Sequence, residues 1–172
     1  LNAADRAYDQ AVSLNPNFFY PLLRSGVVNE QQGRIAKAKR RLNRSLALLE
    51  TAQAYNALGA IAEREGNLQQ AEKLYARAAQ DTGAAGQTAV TSLVSLRSKS
   101  NPAALVGLRW GIGVDGSLQI EATNKTPRTL AGINLQLRII DAQGNPRSHR
   151  QPLARLRPSQ VVQISTGLRG FP

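Results

Sequence analysis

The first half of the sequence repeats itself. Residues 22–49 (LLRSGVVNEQQGRIAKAKRRLNRSLALL) and 55–82 (YNALGAIAEREGNLQQAEKLYARAAQDT) align at a constant offset of 33, pairing Gly26 with Gly59, Gly33 with Gly66, Ala38 with Ala71 and Leu42 with Tyr75. A period of this length belongs to stacked supersecondary units, none of which buries its apolar face alone. The opening segment fits the same pattern: Ala4, Tyr8 and Ala11 lie 34 residues before Ala38, Leu42 and Ser45. Asn15-Pro16 then ends that helix, so the first unit lacks its leading helix. The composition of this half favours helices, and its apolar residues recur at three and four. Small residues at Gly26, Ala38, Gly59 and Ala71 let antiparallel helices approach closely. Leu42 and Tyr75 are predicted to plug the space between neighbouring hairpins. Gly33 and Gly66 are predicted to end the first helix of each pair in the left-handed conformation. Residues 86–98, apolar at Ala89, Val90, Leu93, Val94 and Leu96, read as a final capping helix.

Near residue 100 the pattern changes from helical to alternating. Ser98-Lys99-Ser100-Asn101-Pro102 is linker chemistry, and the residue before a proline is pushed away from the helical region. Residues 1–99 therefore read as helical repeats and 101–172 as a separate β domain. Val106, Leu108, Trp110, Ile112 and Val114 alternate up to Asp115-Gly116, a hairpin signal. Leu118, Ile120 and Ala122 follow, then a loop at Asn124-Lys125-Thr126-Pro127. A long strand runs through Ile133, Leu135, Leu137 and Ile139 to a turn at residues 141–146. Leu153, Leu156 and Pro158 come next, with a last alternation through Val161 and Ile164. Five to seven short strands separated by turns predict a small β-sandwich. His149, between Arg147-Ser148 and Arg150, is expected in a solvated loop. Trp110 and Tyr20 are expected to be packing residues.

The helical half resembles the tetratricopeptide repeat (TPR) family. Tyr55, Leu58, Gly59 and Ala62 stand where that family has its first-helix signature. Ala71, Tyr75 and Ala78 stand where it has its second-helix signature. The middle repeat departs from the pattern, with Ser25 for the usual leucine and Asn29 for the usual aromatic. The β half, through EATNKTPRTLAGINLQLRIIDAQGN and LRPSQVVQI, looks like the small FxLYD-type or fibronectin-like domains of bacterial envelope proteins, an Ig-like sandwich without paired cysteines. The fold class expected is thus α+β in two domains: a TPR-like α-solenoid and a small all-β sandwich.

Composition bears mainly on chemistry. The 172 residues include no cysteine and one histidine, which excludes disulfides, thiolate nucleophiles and a two-histidine metal site within this chain. No HExxH, P-loop, GxGxxG or GxSxG motif occurs, so the sequence offers no catalytic residues, no metal site and no cofactor site. No apolar run is long enough to cross a membrane. The sequence begins at Leu1 and contains no methionine, and it reads as a piece of a longer protein. Basic residues outnumber acidic ones 22 to 11. The excess is spread over both halves, net +5 in residues 1–100 and net +6 in 101–172. Such a balance favours anionic partners without choosing among them.

Two candidate sites follow. Arg34, Lys37, Arg41 and Arg44 fall on one helical stripe in a segment without acidic residues. The functional reading is phosphate or lipid-headgroup contact, which leaves a membrane surface open as a partner; the plainer reading is a solvated helix face. The absence of interleaved aromatics argues against nucleic acid. The second site rests on the resemblance. TPR arrays line their concave groove mainly with the first helix of each pair, which implies Tyr20, Leu23, Val27 and Glu30, then Gln53, Asn56, Ala60 and Glu63. This mixed set suits a peptide or a partner domain, including the parent protein's own catalytic domain. It lacks the Lys and Asn pattern of chaperone-tail carboxylate clamps.

TPR repeats followed by a short β domain, together with the run AVSLNPNFFYPLLRSG, resemble the C-terminal region of bacterial envelope zinc metallopeptidases. The resemblance implies a noncatalytic protein-interaction module in the periplasm or cell envelope, positioning substrates or partners for an upstream HExxH domain. The alternatives are a TPR scaffold subunit of an envelope or secretion assembly, and a basic anion-binding module.

Overall fold

Gly33 and Gly66 punctuate the helical half as their positions predict, with φ of 72° and 77°. At each break the glycine N–H reaches back three residues, to Glu30 and Glu63. The next residue reaches back five: Arg34 N–H bonds the Asn29 carbonyl at 2.8 Å, and Asn67 N–H bonds Ala62 at 2.9 Å. This double closure satisfies carbonyls that the helix end would otherwise leave bare. In the computed structural model, which describes residues 2–140 and 143–169, six helices result: α1 (Asn2–Leu14), α2 (Phe19–Gln31), α3 (Ile35–Leu48), α4 (Ala52–Arg64), α5 (Leu68–Ala78) and α6 (Ala84–Ser100). Thr51 and Asn67 cap α4 and α5 by accepting hydrogen bonds from the Ala54 and Gln70 backbone N–H groups. The helices pack as consecutive pairs, α2 with α3 and α4 with α5.

The small residues act within each pair, and Leu42 and Tyr75 bridge from it to the next element, as their spacing predicts. A Cβ placed on Gly26 would lie 2.6 Å from Leu42 Cγ, and one on Gly59 would lie 2.7 Å from the Tyr75 ring. Leu42 and Tyr75 therefore seat directly on the glycine of their own hairpin. They also reach the next element. Leu42 belongs to a core with Leu23, Ala38, Ala54, Leu58 and Ile61, while Tyr75 packs with Ala62, Ala71 and Leu96 of α6. Helix α6 runs further than its predicted 86–98, starting at Ala84. Its Ala89 and Leu96 are buried.

Residues Leu1–Ser100 form one unit of the chain and Asn101–Pro172 the other. The second holds five strands: β1 (Val106–Ile112), β2 (Ser117–Asn124), β3 (Leu130–Ile140), β4 (Pro146–Leu156) and β5 (Val161–Arg169). All pairings are antiparallel. They make a three-stranded sheet ordered β1-β2-β5 and a two-stranded sheet of β3 and β4. Asp115-Gly116 forms the β1–β2 turn, with Gly116 at φ 73°. Of the turn expected at 141–146, Asp141 and Ala142 lie outside the described residues. The two sheets share one core, built from Leu118, Ile120, Ala122, Leu135, Leu153 and Ile164. Gly132, at φ 64°, breaks the alternation of β3, so Leu130 and Leu135 are both buried although five residues apart.

Three expectations about this unit are overturned. His149 is not in a loop but in β4, opposite Leu137. The inward positions at that end of β4 are His149 and Gln151, so the strand carries no apolar signal there. Trp110 is not a packing residue, being 76% exposed, with Leu108 and Ile112 also exposed. Strand β1 is an edge, and the facing sheet has only two strands to cover it. The Val161–Ile164 alternation is also misplaced. Val161 is exposed, and the inward positions are Val162, Ile164 and Thr166.

Asn124 explains why the Asn-Lys-Thr-Pro run is more than a loose loop. Its side chain is buried and donates to the Arg128 and Leu156 carbonyls at 2.6 and 2.8 Å. Its Oδ1 accepts from the Thr126 backbone N–H and hydroxyl, both at 2.8 Å. Every polar atom of the buried amide is thus engaged, and β2, β4 and the intervening turn are tied at one point.

Candidate functional site

The first helices of the pairs, α2 and α4, adjoin each other, and α4 adjoins α6. Between them runs a groove of about 490 Å³. Helix α2 supplies Tyr20, Leu23, Val27 and Glu30, together with Arg24. Helix α4 supplies Gln53, Asn56, Ala57 and Ala60. Seven of the eight predicted groove residues therefore line one concavity. Glu63 does not. It sits one turn beyond and accepts a hydrogen bond from the Tyr75 hydroxyl at 3.0 Å. Burial, reinforced by that carboxylate, pushes the Tyr75 phenol up to about 12.

The far wall escaped sequence reasoning. Ala85, Thr88 and Ser92 of α6 and Tyr75 of α5 complete the groove. Asn56 Nδ2 donates to the Ala85 carbonyl at 2.7 Å, fixing α6 against α4. Helix α6 falls outside the 33-residue period, so the repeat gave no signal for it.

Tyr20 is 48% exposed rather than packed. It forms a cluster with Phe18 and Phe19, with ring centroids about 6 Å apart, at the α2 end of the groove. Glu30 is engaged by Arg64, which connects α2 to α4 on the same face. Arg24 is held firmly protonated by a hydrogen bond to the Tyr8 oxygen. The groove thus offers aromatic and small apolar surface with scattered polar groups, and its one internal carboxylate on α2 already has a cationic partner. Among the described residues no cluster of three or more His, Cys, Asp or Glu could hold a metal ion.

The basic stripe has a different setting from either reading of the sequence. Arg34 Nη2 and Lys37 Nζ reach Asp5 Oδ2 at 2.7 and 3.0 Å. Lys37 and Arg41 reach Asp9 at 2.8 and 2.6 Å. Arg44 donates to the Pro16 carbonyl at 3.0 Å. The carboxylates come from α1, which lies against this face. Asp5 is 6% exposed and also accepts from Asn29 Nδ2 at 2.6 Å and from the Ser25 hydroxyl at 3.2 Å. Burial alone would raise its pKa, but the hydrogen bonds from Arg34, Lys37 and Asn29 outweigh it and hold the carboxyl well below the usual range. Ser25 and Asn29, the two departures of the middle repeat, are the polar residues that receive Asp5.

No known protein-family model matches this sequence, and no curated protein does. No helix among the described residues is long and apolar enough to cross a membrane.

Proposed function

We propose that the helical unit is a TPR-like array that binds an extended polypeptide or a partner domain in the α2–α4–α6 groove, and that it performs no chemistry of its own. The β unit is then a small Ig-like sandwich that follows it in the sequence. The observation that carries this reading is the groove itself. Two hairpins of equal period present the same helix to one concavity, and a third helix closes it. The lining is mixed, with an exposed aromatic cluster at one end, which suits side chains of a bound segment rather than a charged small molecule. By resemblance, the parent is a bacterial envelope zinc metallopeptidase, and the groove positions substrates or the catalytic domain. An HExxH motif in the parent sequence upstream of Leu1 supports that assignment; its absence leaves a scaffold subunit of an envelope assembly.

The test is selection of a random twelve-residue peptide library on the whole chain. Selected peptides should lose at least tenfold in affinity on Ala60→Arg, which fills the groove floor, and keep it on Lys73→Ala. Binding indifferent to Ala60→Arg, with the helical signal intact, sinks the groove as the site. The anion-binding alternative has weaker support, because Arg34, Lys37 and Arg41 are already occupied by α1 carboxylates. It requires polyphosphate binding that falls steeply with salt and disappears when Lys37, Arg41 and Arg44 become alanine.

A further inference from the structure

The two sheets of the β unit cover each other unequally, and the uncovered part has a definite shape. Strand β3 has β4 as its only neighbour among the described residues, so its other edge presents unpaired backbone N–H and C=O groups along eleven residues. Beside that edge lies an apolar groove of about 400 Å³. Its floor and walls are Leu108, Trp110, Leu118, Ile120, Leu137 and Ile139. Leu108 is 50% and Trp110 76% exposed. Arg138 stands at its rim with no ion-pair partner among the described residues, whereas the side chain of Arg109 alternates to the other face of the sheet, opposite Glu121. The whole unit carries nine basic and three acidic residues.

We propose that this groove takes an extended acidic segment of a partner polypeptide as an added strand, hydrogen-bonded to the free edge of β3. The segment alternates apolar residues, which cover Leu108 and Trp110, with acidic ones on its outer face that meet Arg138. A strand added there lies over the exposed face of β1, where the second sheet is missing a member. Main-chain pairing supplies affinity, and the alternate side chains supply specificity. Charge selects among the occupants. A second copy would bring another net +6 surface against this one, and like charges oppose that approach. A lipid surface would bury the free β3 edge in a medium without hydrogen-bond partners, which is costly for each backbone group. An acidic strand satisfies the apolar floor, the edge and the cationic rim together. This site lies on the β unit and is independent of the groove proposed on the helical unit.

Trp110 is the single tryptophan of the chain, so its fluorescence reports on this groove alone. The whole chain is titrated with a nine-residue peptide alternating Glu and Val, blocked at both ends. The expected result is a saturable blue shift of Trp110 emission, at least tenfold weaker with the matching Lys and Val peptide. Arg138→Glu should weaken binding at least fivefold, with the far-ultraviolet circular dichroism unchanged. N-methylation of alternate backbone nitrogens on the pairing side should weaken it at least tenfold. Four results overturn the proposal: no shift with the Glu and Val peptide at millimolar concentration; equal binding of the N-methylated peptide; a shift with phosphatidylglycerol vesicles but not with the peptide; or Trp110 emission already blue-shifted and shielded from acrylamide in the free chain, whether by a second copy or by its own helical unit.

Discussion

The two units carry almost the same excess of positive charge and use it in opposite ways. In the helical unit Arg34, Lys37 and Arg41 are met by carboxylates from α1, and further pairs join Lys39 to Glu65, Arg77 to Glu50 and Arg97 to Glu72. In the β unit, Arg138 stands beside an apolar groove with no ion-pair partner among the described residues. The apolar residues divide the same way. Leu42 and Tyr75 of the helical pairs are buried against glycines, whereas the largest side chain of the β unit, Trp110, faces out. Net charge alone thus says little about where a partner binds. What matters is whether another element of the same chain already supplies the complement.

The sharpest way to break this contrast is to empty a helical contact. Leu42→Ala should cost about 3–4 kcal/mol, since it removes a fully buried side chain and leaves a cavity under Gly26. Chemical denaturation followed at 222 nm reads it, and a loss below about 1 kcal/mol would mean that the helical pairs are loosely packed. Asn124→Ala should destabilise the β unit by about 2–3 kcal/mol, because it leaves the buried Leu156 carbonyl and the Thr126 backbone N–H without their partner. Hydrogen exchange resolved by segment should show the loss in β2 and β4 and not in the helices. Gly59→Ala should cost about 1–2 kcal/mol despite the better helix propensity of alanine, because the new methyl meets the Tyr75 ring. Much of that should return in Gly59→Ala combined with Tyr75→Leu.

The α1 carboxylate gives a pH-dependent comparison. Its folded pKa lies below the unfolded value of about 3.9, so its contribution is present above that pH and is lost as the pH falls toward the folded value. The protection of α1 amides, taken relative to the intrinsic exchange rate at each pH, should therefore fall below about pH 4. In Asp5→Asn the α1 amides should already exchange faster at pH 7 and change less on acidification. Equal acid profiles in the two proteins would remove Asp5 as the link. The smallest effect is expected at Trp110→Ser, within about 0.5 kcal/mol of the parent by calorimetry, since the indole buries little. A loss of 2 kcal/mol or more would show that β1 is covered and that the two units are alike after all.

Much of the helical half was legible because its constraints are local. Gly33 and Gly66 announce helix ends by a property of one residue, and the spacing Gly26–Leu42 repeats as Gly59–Tyr75 because a hairpin of fixed length places the same contact at the same interval. The seven predicted groove residues that line one concavity were named from the TPR resemblance, which adds to that register the helix expected to face inward. The destination of the basic stripe was hidden, since Asp5 and Asp9 are some thirty residues away and only the packing of α1 brings them there. Ser25 and Asn29 looked like departures from a pattern until the buried carboxylate they receive was in view. In the β half, alternation marked the strands but not their neighbours. His149 and Gln151 carry the inward positions of β4 without an apolar signal, so that end of the strand read as a loop.

By itself the sequence determined the division near residue 100, the helical period, the glycine breaks and the Asp115-Gly116 turn, all of which depend on backbone preference and on spacing within one element. Tertiary structure alone decided which charges are neutralised and which apolar face stays open. Those outcomes depend on what another element places opposite a side chain. Alternation in β1 specifies that Leu108 and Trp110 share a face, but only the two-stranded extent of the opposing sheet leaves that face uncovered.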